Sequence, residues 1–458
     1  MGDTIAAIAT PPGLGGIAVI RVSGPEAETI AGRIFRPKGA ISRLRSHTLH
    51  AGTIVSPSTG EIVDEVLAVI MRKPRSYTGE DVLEIHCHGG YVVPRAVLEA
   101  VLQAGARPAE AGEFTRRAFL NDRMDLSQAE AVGELITAAT SEGARLALSH
   151  LGGAVGARIA AAEERLMDLL ARLEASLDFG EDEGIPAREG IADRIQEEVR
   201  LLNDLADTYR TGRLYRQGAG VVIMGRTNVG KSSLLNRLLG ETRAIVTPLP
   251  GTTRDFIEEA VDVVGLPVRL TDTAGIRPTD DMIEQAGIDL VWERVGKADA
   301  VILLFDGSEP ITAEDRDIAE RLAGKKVLYV INKSDLAPAF AEKDLPLAHA
   351  DATPLRVSAK TGEGMETLKE ALYRLLTASE KGEGEHDGCV LTVLRHRLAV
   401  EKAVFHLCQA SGAAVAGAYP ELIAEDLRDA LDALGEISGR TVNDAVLDRI
   451  FAHFCIGK

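Results

Sequence analysis

Lys231 and Ser232 follow two glycines, Gly225 and Gly230, in the run GRTNVGKS at 225 to 232, after an apolar strand-like run and before a helix-like one. That spacing suits a phosphate-binding loop. Glycines let backbone N–H groups wrap a polyphosphate, a lysine ammonium meets the β and γ phosphates, and a serine hydroxyl ligates Mg²⁺. DTAG at 272 to 275 ends another strand-like run, where a carboxylate can hold the Mg²⁺ shell and a glycine amide can reach the γ-phosphate. NKSD at 332 to 335 ends a third and supplies Asp335, which can accept from both N1–H and the 2-amino group of guanine. Adenine lacks that donor pair, so the element selects guanine, and SAK at 358 to 360 completes the order. GTP contacts are therefore expected from Asn228, Val229, Gly230, Lys231, Ser232 and Ser233, from Asp272, Thr273, Ala274 and Gly275, from Asn332, Lys333 and Asp335, and from Ser358, Ala359 and Lys360. Between the first two motifs, TPLPGTTRD at 247 to 255 adds Thr247, Thr252 and Thr253, with Thr253 the switch threonine that joins Ser232 on Mg²⁺.

The elements that must carry these residues alternate apolar runs at 221 to 224, 268 to 272, 300 to 306 and 327 to 333 with helical segments. Continuous apolar strands separated by helices predict a parallel sheet covered on both faces. Upstream, β-like runs at 17 to 22, 65 to 71 and 81 to 87 and a helical stretch at 92 to 105 predict an α+β domain over residues 1–120. Apolar residues at three- and four-residue spacing predict helices over 121–215, interrupted by an acidic loop at 178 to 186. More helix follows a charged, Gly-rich linker in 379–458. The fold class expected is multidomain: an N-terminal α+β domain, an all-α domain, and an α/β P-loop domain at 216–378 inserted into the helical one.

Composition narrows the options. The chain has 458 residues, enough for about three domains. Its 51 Lys and Arg against 69 Asp and Glu leave 51 − 69 = −18, which excludes a globally basic nucleic-acid binder. Aromatic content of 4% argues against single-strand binding by base stacking. Cys87, Cys389, Cys408 and Cys455 share no short spacing, which indicates neither a disulfide framework nor a zinc knuckle. The N-terminus does not read as a signal peptide and no apolar run approaches the ~18 residues of a membrane span, so a cytoplasmic location is expected. His86, Cys87 and His88 alternate on a strand and so should not converge on a metal. Arg43 and Arg45, Arg72, Lys73 and Arg75, and Arg116 and Arg117 form either a nucleic-acid-facing patch or a solubilising surface.

The residues also carry a resemblance. Position 276, where Ras-like proteins place a water-orienting glutamine, is Ile276, as in the translation-factor-related GTPases. TTRD, DTAGIR, the terminal FCIGK, and above all ATPPGLGGIAVIRVSG at the start, YTGEDVLEIHCHGG at 77 to 90 and AGEFTRRAFLNDRMDLSQAEAV at 111 to 132 closely resemble the MnmE (TrmE) family of tRNA modification GTPases over essentially the full length. The resemblance implies K⁺-stimulated hydrolysis, with K⁺ held by Asn228, Thr247, Leu249 and Thr252 and the water oriented by Glu284. It implies an N-terminal domain that dimerises and binds a tetrahydrofolate of 5-formyl or methylene type through Arg21, Glu84, Arg123 and Lys458, with Cys455 beside that site as a catalytic or positioning thiol. At Arg123 the family pattern carries Lys, so the charge is kept with a different geometry. It further implies a homodimer working with an MnmG-like partner that uses FAD and NADH, to install an aminomethyl-type group at C5 of the wobble uridine of certain tRNAs. The competing expectation is a GTP-switched ribosome-assembly factor that binds RNA without modification chemistry.

Overall fold

The computed structural model describes residues 2–39, 43–179, 190–241, 259–272, 291–347, 352–378 and 389–457. The acidic loop centred on 181 to 183, the linker 379–388, the switch segment 247–255, Thr273, Ala274, Gly275, Glu284 and Lys458 lie outside the described residues. The chain divides into two compact units, Met1–Gly133 with Asp432–Lys458, and Glu134–Leu431.

The first unit is α+β. Seven strands, β1 (Ile5–Ile8), β2 (Ile17–Ser23), β3 (Phe35–Pro37), β4 (His50–Val55), β5 (Ile62–Met71), β6 (Val82–His88) and β7 (Arg107–Pro108), form a sheet in the order β3-β4-β5-β6-β2-β1-β7. Pairing is antiparallel except between β1 and β7. The period of two sorts the side chains. Along β2, Ala18, Ile20 and Val22 enter a core shared with Leu83 and Ile85 of β6, Ile30 and Ile34 of helix α1 (Ala27–Ile34) and Val97 of helix α2 (Val93–Gln103). Val19 and Arg21 therefore face the other side. The helix Asp444–Phe451 packs Leu447 and Phe451 with Leu126 and Ala129 in a smaller core, against which helix α3 (Glu113–Leu120) lays Phe119. There Ala111 and Ile456 form an antiparallel bridge.

The second unit combines helices with a second sheet. Helix α4 (Leu126–Thr137), which crosses the division at Gly133, leads to α5 (Ser141–Leu151), α6 (Ala154–Phe179), α7 (Ile191–Asp207) and α8 (Tyr209–Gln217), and the helices Leu394–Val415 and Pro420–Ser438, the second crossing the division at Leu431, follow much later in the chain. α7 buries Ile191, Ile195, Val199, Leu202 and Leu205, the three- and four-residue spacing of one helical face, against Leu394–Val415. Strands β8 (Ala219–Met224), β9 (Glu259–Val263), β10 (Leu266–Asp272), β11 (Ala300–Asp306), β12 (Val327–Asn332) and β13 (Leu355–Arg356) form a sheet in the order β13-β12-β11-β8-β10-β9. β11 is buried at all 7 residues, as a strand covered on both faces must be. The sheet departs from the all-parallel expectation at one edge, where β9 runs antiparallel to β10. Only Val264 and Gly265, both at positive φ, link the two, and so short a connection can close a hairpin but not a crossover. Among the described residues no helix is long and apolar enough to cross a membrane.

Candidate functional site

The parallel strands β8, β11, β12 and β13 deliver their C-terminal ends to one edge of the sheet, the edge at which open α/β sheets bind ligands. β8 stops at Met224, the loop 225–230 follows, and helix α9 (Lys231–Glu241) starts at Lys231. Two glycines make the loop possible. A Cβ on Gly225 (φ 146°) would collide with the Leu304 carbonyl of β11, and one on Gly230 (φ 99°) with the Asn332 side-chain amide. Val229 is fully buried and pins the loop to the core, whereas Asn228 stands exposed at φ 68°, a left-handed conformation that Asn tolerates better than most residues. Lys231 Nζ donates to the carbonyls of Gly225 (2.7 Å) and Arg226 (2.9 Å), which folds its charge back over the loop. Ser232 and Ser233 lie exposed in the first turn of α9, at the positive end of the helix dipole.

Asn332 joins this loop to the base-recognition side. Its Nδ2 donates to the Val229 carbonyl (2.8 Å) and its Oδ1 accepts from the Ala359 N–H (3.0 Å), both in buried surroundings. Ser358, fully buried, donates to Asp335 Oδ1 (2.7 Å) and accepts from the Thr361 N–H (3.1 Å). Asp335 and Lys360 are both exposed. The structure therefore brings Asn228, Val229, Gly230, Lys231, Ser232, Ser233, Asn332, Lys333, Asp335, Ser358, Ala359 and Lys360 to one sheet edge. Asp272 closes β10 in register with Ile223 of β8, which brings its backbone to the same edge. Thr247, Leu249, Thr252, Thr253, Thr273, Ala274, Gly275 and Glu284 fall outside the described residues.

Two charged residues not singled out from sequence stand at this edge. Asp306 ends β11 and pairs with Lys333 (2.5 Å), and Arg226 pairs with Glu309 (2.5 Å) and Asp315 (3.5 Å). The signal for Asp306 was a lone carboxylate ending a strand otherwise made of apolar residues.

The face of the N-terminal sheet opposite α1 and α2 carries a second constellation. Antiparallel register sets Arg21 opposite Glu84, and Arg21 Nε donates to Glu84 Oε1 (2.8 Å). Its Nη1 reaches the Gly457 carbonyl (3.3 Å), and its guanidinium lies 5.3 Å from the Tyr77 ring centroid and 5.8 Å from that of Phe114. Glu84 Oε2 is 3.8 Å from His86 Nε2, a buried nitrogen with no hydrogen-bond partner among the described residues. Cys455 is exposed two residues before Gly457, and Lys458 is outside the described residues. Exposed Arg123 lies across Gly79, where a Cβ would stand 3.2 Å from its Cγ.

The remaining sequence signals separate. Cys87 points into the core and burial, followed by the nearby Asp64 charge, pushes its thiol up to about 11. His88 pairs instead with Asp64 (2.7 Å), so the three residues do not converge. Of the basic clusters, Arg72 and Arg43 share Glu28, whose carboxyl they hold down to about 2. Arg116 pairs with Asp448 (2.9 Å), and Arg117 is buried among Asp3, Glu80 and Glu113, out of reach of any phosphate.

With this geometry established, comparison with known proteins is direct. The family model described as GTP-binding protein TrmE N-terminus matches residues 4–123, and that described as MnmE helical domain matches residues 126–455. Curated relatives named tRNA modification GTPase MnmE include those of Syntrophus aciditrophicus (strain SB), 52% identical over 100% of this chain and 99% of that protein, and of Heliobacterium modesticaldum (strain ATCC 51547 / Ice1), 47% identical over 100% of each. A third, from Geobacter sulfurreducens (strain ATCC 51573 / DSM 12127 / PCA), is 46% identical over 100% of this chain and 99% of that protein. The chain belongs to the MnmE (TrmE) family of tRNA modification GTPases.

Proposed function

We propose that this MnmE-family chain, a GTP hydrolase acting in tRNA modification, couples K⁺-stimulated hydrolysis to one-carbon chemistry at C5 of the wobble uridine. The observation that carries the reading is Asn332, whose one amide clasps the phosphate loop at Val229 and the base loop at Ala359. A site for phosphate and guanine together needs both loops held in a single geometry.

In this reading the loop 225–230 wraps the triphosphate, in a backbone path that only glycine at 225 and 230 permits, because a Cβ there would strike the Leu304 carbonyl or the Asn332 amide. Lys231 neutralises phosphate charge, Asp335 selects guanine, and Ser232 with Thr253 holds Mg²⁺. Asn228, Thr247, Leu249 and Thr252 hold K⁺, and the exposed side chain and left-handed backbone of Asn228 at the loop crest support that role. A K⁺ ion held by these residues would offset negative charge that develops on the phosphoryl oxygens. Glu284 orients the attacking water.

Arg21, Glu84, Arg123 and Lys458 bind a tetrahydrofolate of 5-formyl or methylene type, and Cys455 acts beside them. The contact of Arg21 with Glu84 and with the Gly457 carbonyl supports a site built from both ends of the chain. The protein works in the cytoplasm as a homodimer with an MnmG-like, FAD- and NADH-dependent partner on tRNA. The test measures GTP hydrolysis in KCl and NaCl at matched ionic strength for the wild type and Asn228→Ala, with 5-formyl-tetrahydrofolate binding for the wild type and Arg21→Ala. Acceleration by K⁺ that Asn228→Ala loses, together with folate binding that Arg21→Ala loses, supports the reading. Equal rates in both salts refute the K⁺ assignment, and absence of folate binding favours a ribosome-assembly role instead.

A further inference from the structure

The nucleotide site contains a charge that no motif requires. Asp306 is 3% exposed at the end of β11, and its carboxylate is fully engaged. Oδ2 meets Lys333 Nζ at 2.5 Å, and Oδ1 accepts from the Ser308 N–H (2.9 Å) and hydroxyl (2.6 Å). Burial alone would push this carboxyl up, but the hydrogen bonds from Lys333 and Ser308 outweigh it and hold it below its ordinary value. The backbone repeats the connection. The Gly307 N–H donates to the Asn332 carbonyl (2.9 Å), the Ala339 N–H donates to the Gly307 carbonyl (2.9 Å), and a Cβ on Gly307 would press on that Asn332 carbonyl at 2.9 Å.

Lys333 has φ 62°, a left-handed conformation that is unfavourable for a lysine and persists only where its surroundings impose it. The Asp306 carboxylate supplies that restraint through the ammonium. Lys333 is the immediate neighbour of Asn332, so relaxing its backbone would disturb the amide that clasps Val229 and Ala359. The same segment reaches the phosphate loop at its other end, where Glu309 and Asp315 take the Arg226 guanidinium, and Asp315 is itself fixed in the Thr312 capping box. A buried ion pair placed only for stability could sit anywhere in the core, and an apolar pair would serve as well. This one sits between the two halves of the nucleotide site.

We infer that Asp306 is a positioning residue for guanine nucleotide recognition, acting through Lys333, and that residues 306–315 brace the base loop against the phosphate loop. The inference rests on the nucleotide-site reading above. Asp306 governs how tightly nucleotide is held and leaves the hydrolytic step alone.

The test uses the full chain, binding of a fluorescent N-methylanthraniloyl GDP, and steady-state GTP hydrolysis. Asp306→Asn keeps the shape and the acceptor for Ser308 but removes the charge that holds Lys333. It should raise the GDP Kd and the GTP KM about tenfold, the scale of one charge-assisted hydrogen bond, with kcat within about twofold. Lys333→Met should show a similar loss, and the double variant no more than Lys333→Met alone. Ser308→Ala, a milder change, should raise Kd about threefold and lose that effect in the Lys333→Met background. Wild-type affinity in Asp306→Asn overturns the inference. So does additive loss in the double variant, or a fall in kcat at unchanged KM. A wild-type chain that fails to bind GDP refutes the nucleotide-site reading, and this inference with it.

Discussion

Arg117→Met should unmake part of the N-terminal unit without touching any proposed ligand. The Arg117 side chain is 5% exposed and donates to the Asp3 carbonyl (3.0 Å), Asp3 Oδ1 (2.9 Å), Glu113 Oε1 (2.9 Å) and Glu80 Oε2 (3.2 Å). Methionine fills most of the volume and removes every donor. Stranding a buried charge costs about 3–5 kcal/mol, but here no carboxylate is left wholly alone. Glu113 keeps Arg107 on both oxygens (2.5 and 2.9 Å), Asp3 keeps Arg107 (2.5 Å), and Glu80 keeps the Ser23 hydroxyl (2.8 Å). Asp3 is also 48% exposed, so water screens its share. The loss should therefore be about 2–4 kcal/mol, overlapping only the lower half of the stranded-charge range. Amide hydrogen exchange in a urea series, on peptides from residues 2–133 of the full chain, reads it directly.

The acid dependence has a definite sign. Burial pushes the Glu113 carboxyl up, but bonds from Arg107 and Arg117 outweigh it and leave it below 4.5, while Asp3 lies below 3.8, chiefly through Arg107. Groups depressed on folding contribute stability above their unfolded values and lose it as pH falls through the folded ones. The wild-type advantage over Arg117→Met should thus be full at pH 7 and shrink below those two values. A variant within about 0.5 kcal/mol of wild type that binds tRNA more weakly would refute the reasoning and make Arg117 an exposed tRNA contact.

Further outcomes follow from the same contacts. Cys87 is 2% exposed with its thiol pushed up to about 11, so in native protein at pH 8 iodoacetamide should label exposed Cys408 and Cys455 and spare Cys87, as peptide mass spectrometry would show. Equal labelling would contradict its burial. Gly457→Ala places a Cβ 2.5 Å from the Ile8 carbonyl at φ 96°, so the tail should unseat, amide exchange at the Ala111–Ile456 bridge should rise, and 5-formyl-tetrahydrofolate binding should weaken about tenfold. Retained protection at that bridge would refute the fit. Gly212→Ala drives a Cβ into the Leu391 carbonyl and to within 2.7 Å of Val390, so α8 should separate from that segment at a cost of about 1–3 kcal/mol, measured by the same exchange method. An unchanged opening free energy for α8 would count against it.

How legible all this was depends on range along the chain. Strand runs such as 300 to 306 and the phosphate loop at 225 to 232 encode their own form, because apolar runs, glycine spacing and helix starts act over a few residues. The β9 edge was less visible, since its antiparallel course depends on the two-residue link at Val264 and Gly265. The engagement of Arg117 and Arg72 by acids was invisible, because Asp3 lies 114 residues from Arg117 and Glu28 lies 44 from Arg72. A run of basic residues looks alike whether it faces solvent or carboxylates. Asp306 was hidden for a related reason: a carboxylate after an apolar strand reads as a turn residue until Lys333 is brought to it.

The contact of Arg21 with Gly457 spans 436 residues. During synthesis, at roughly 5–20 residues per second, the first strands can pair long before the tail leaves the ribosome. Their open face must then wait, with Arg21 lacking its final acceptor, for tens of seconds or more at that pace. Docking of the segment around Gly457 is thus a late event in the assembly of the N-terminal unit.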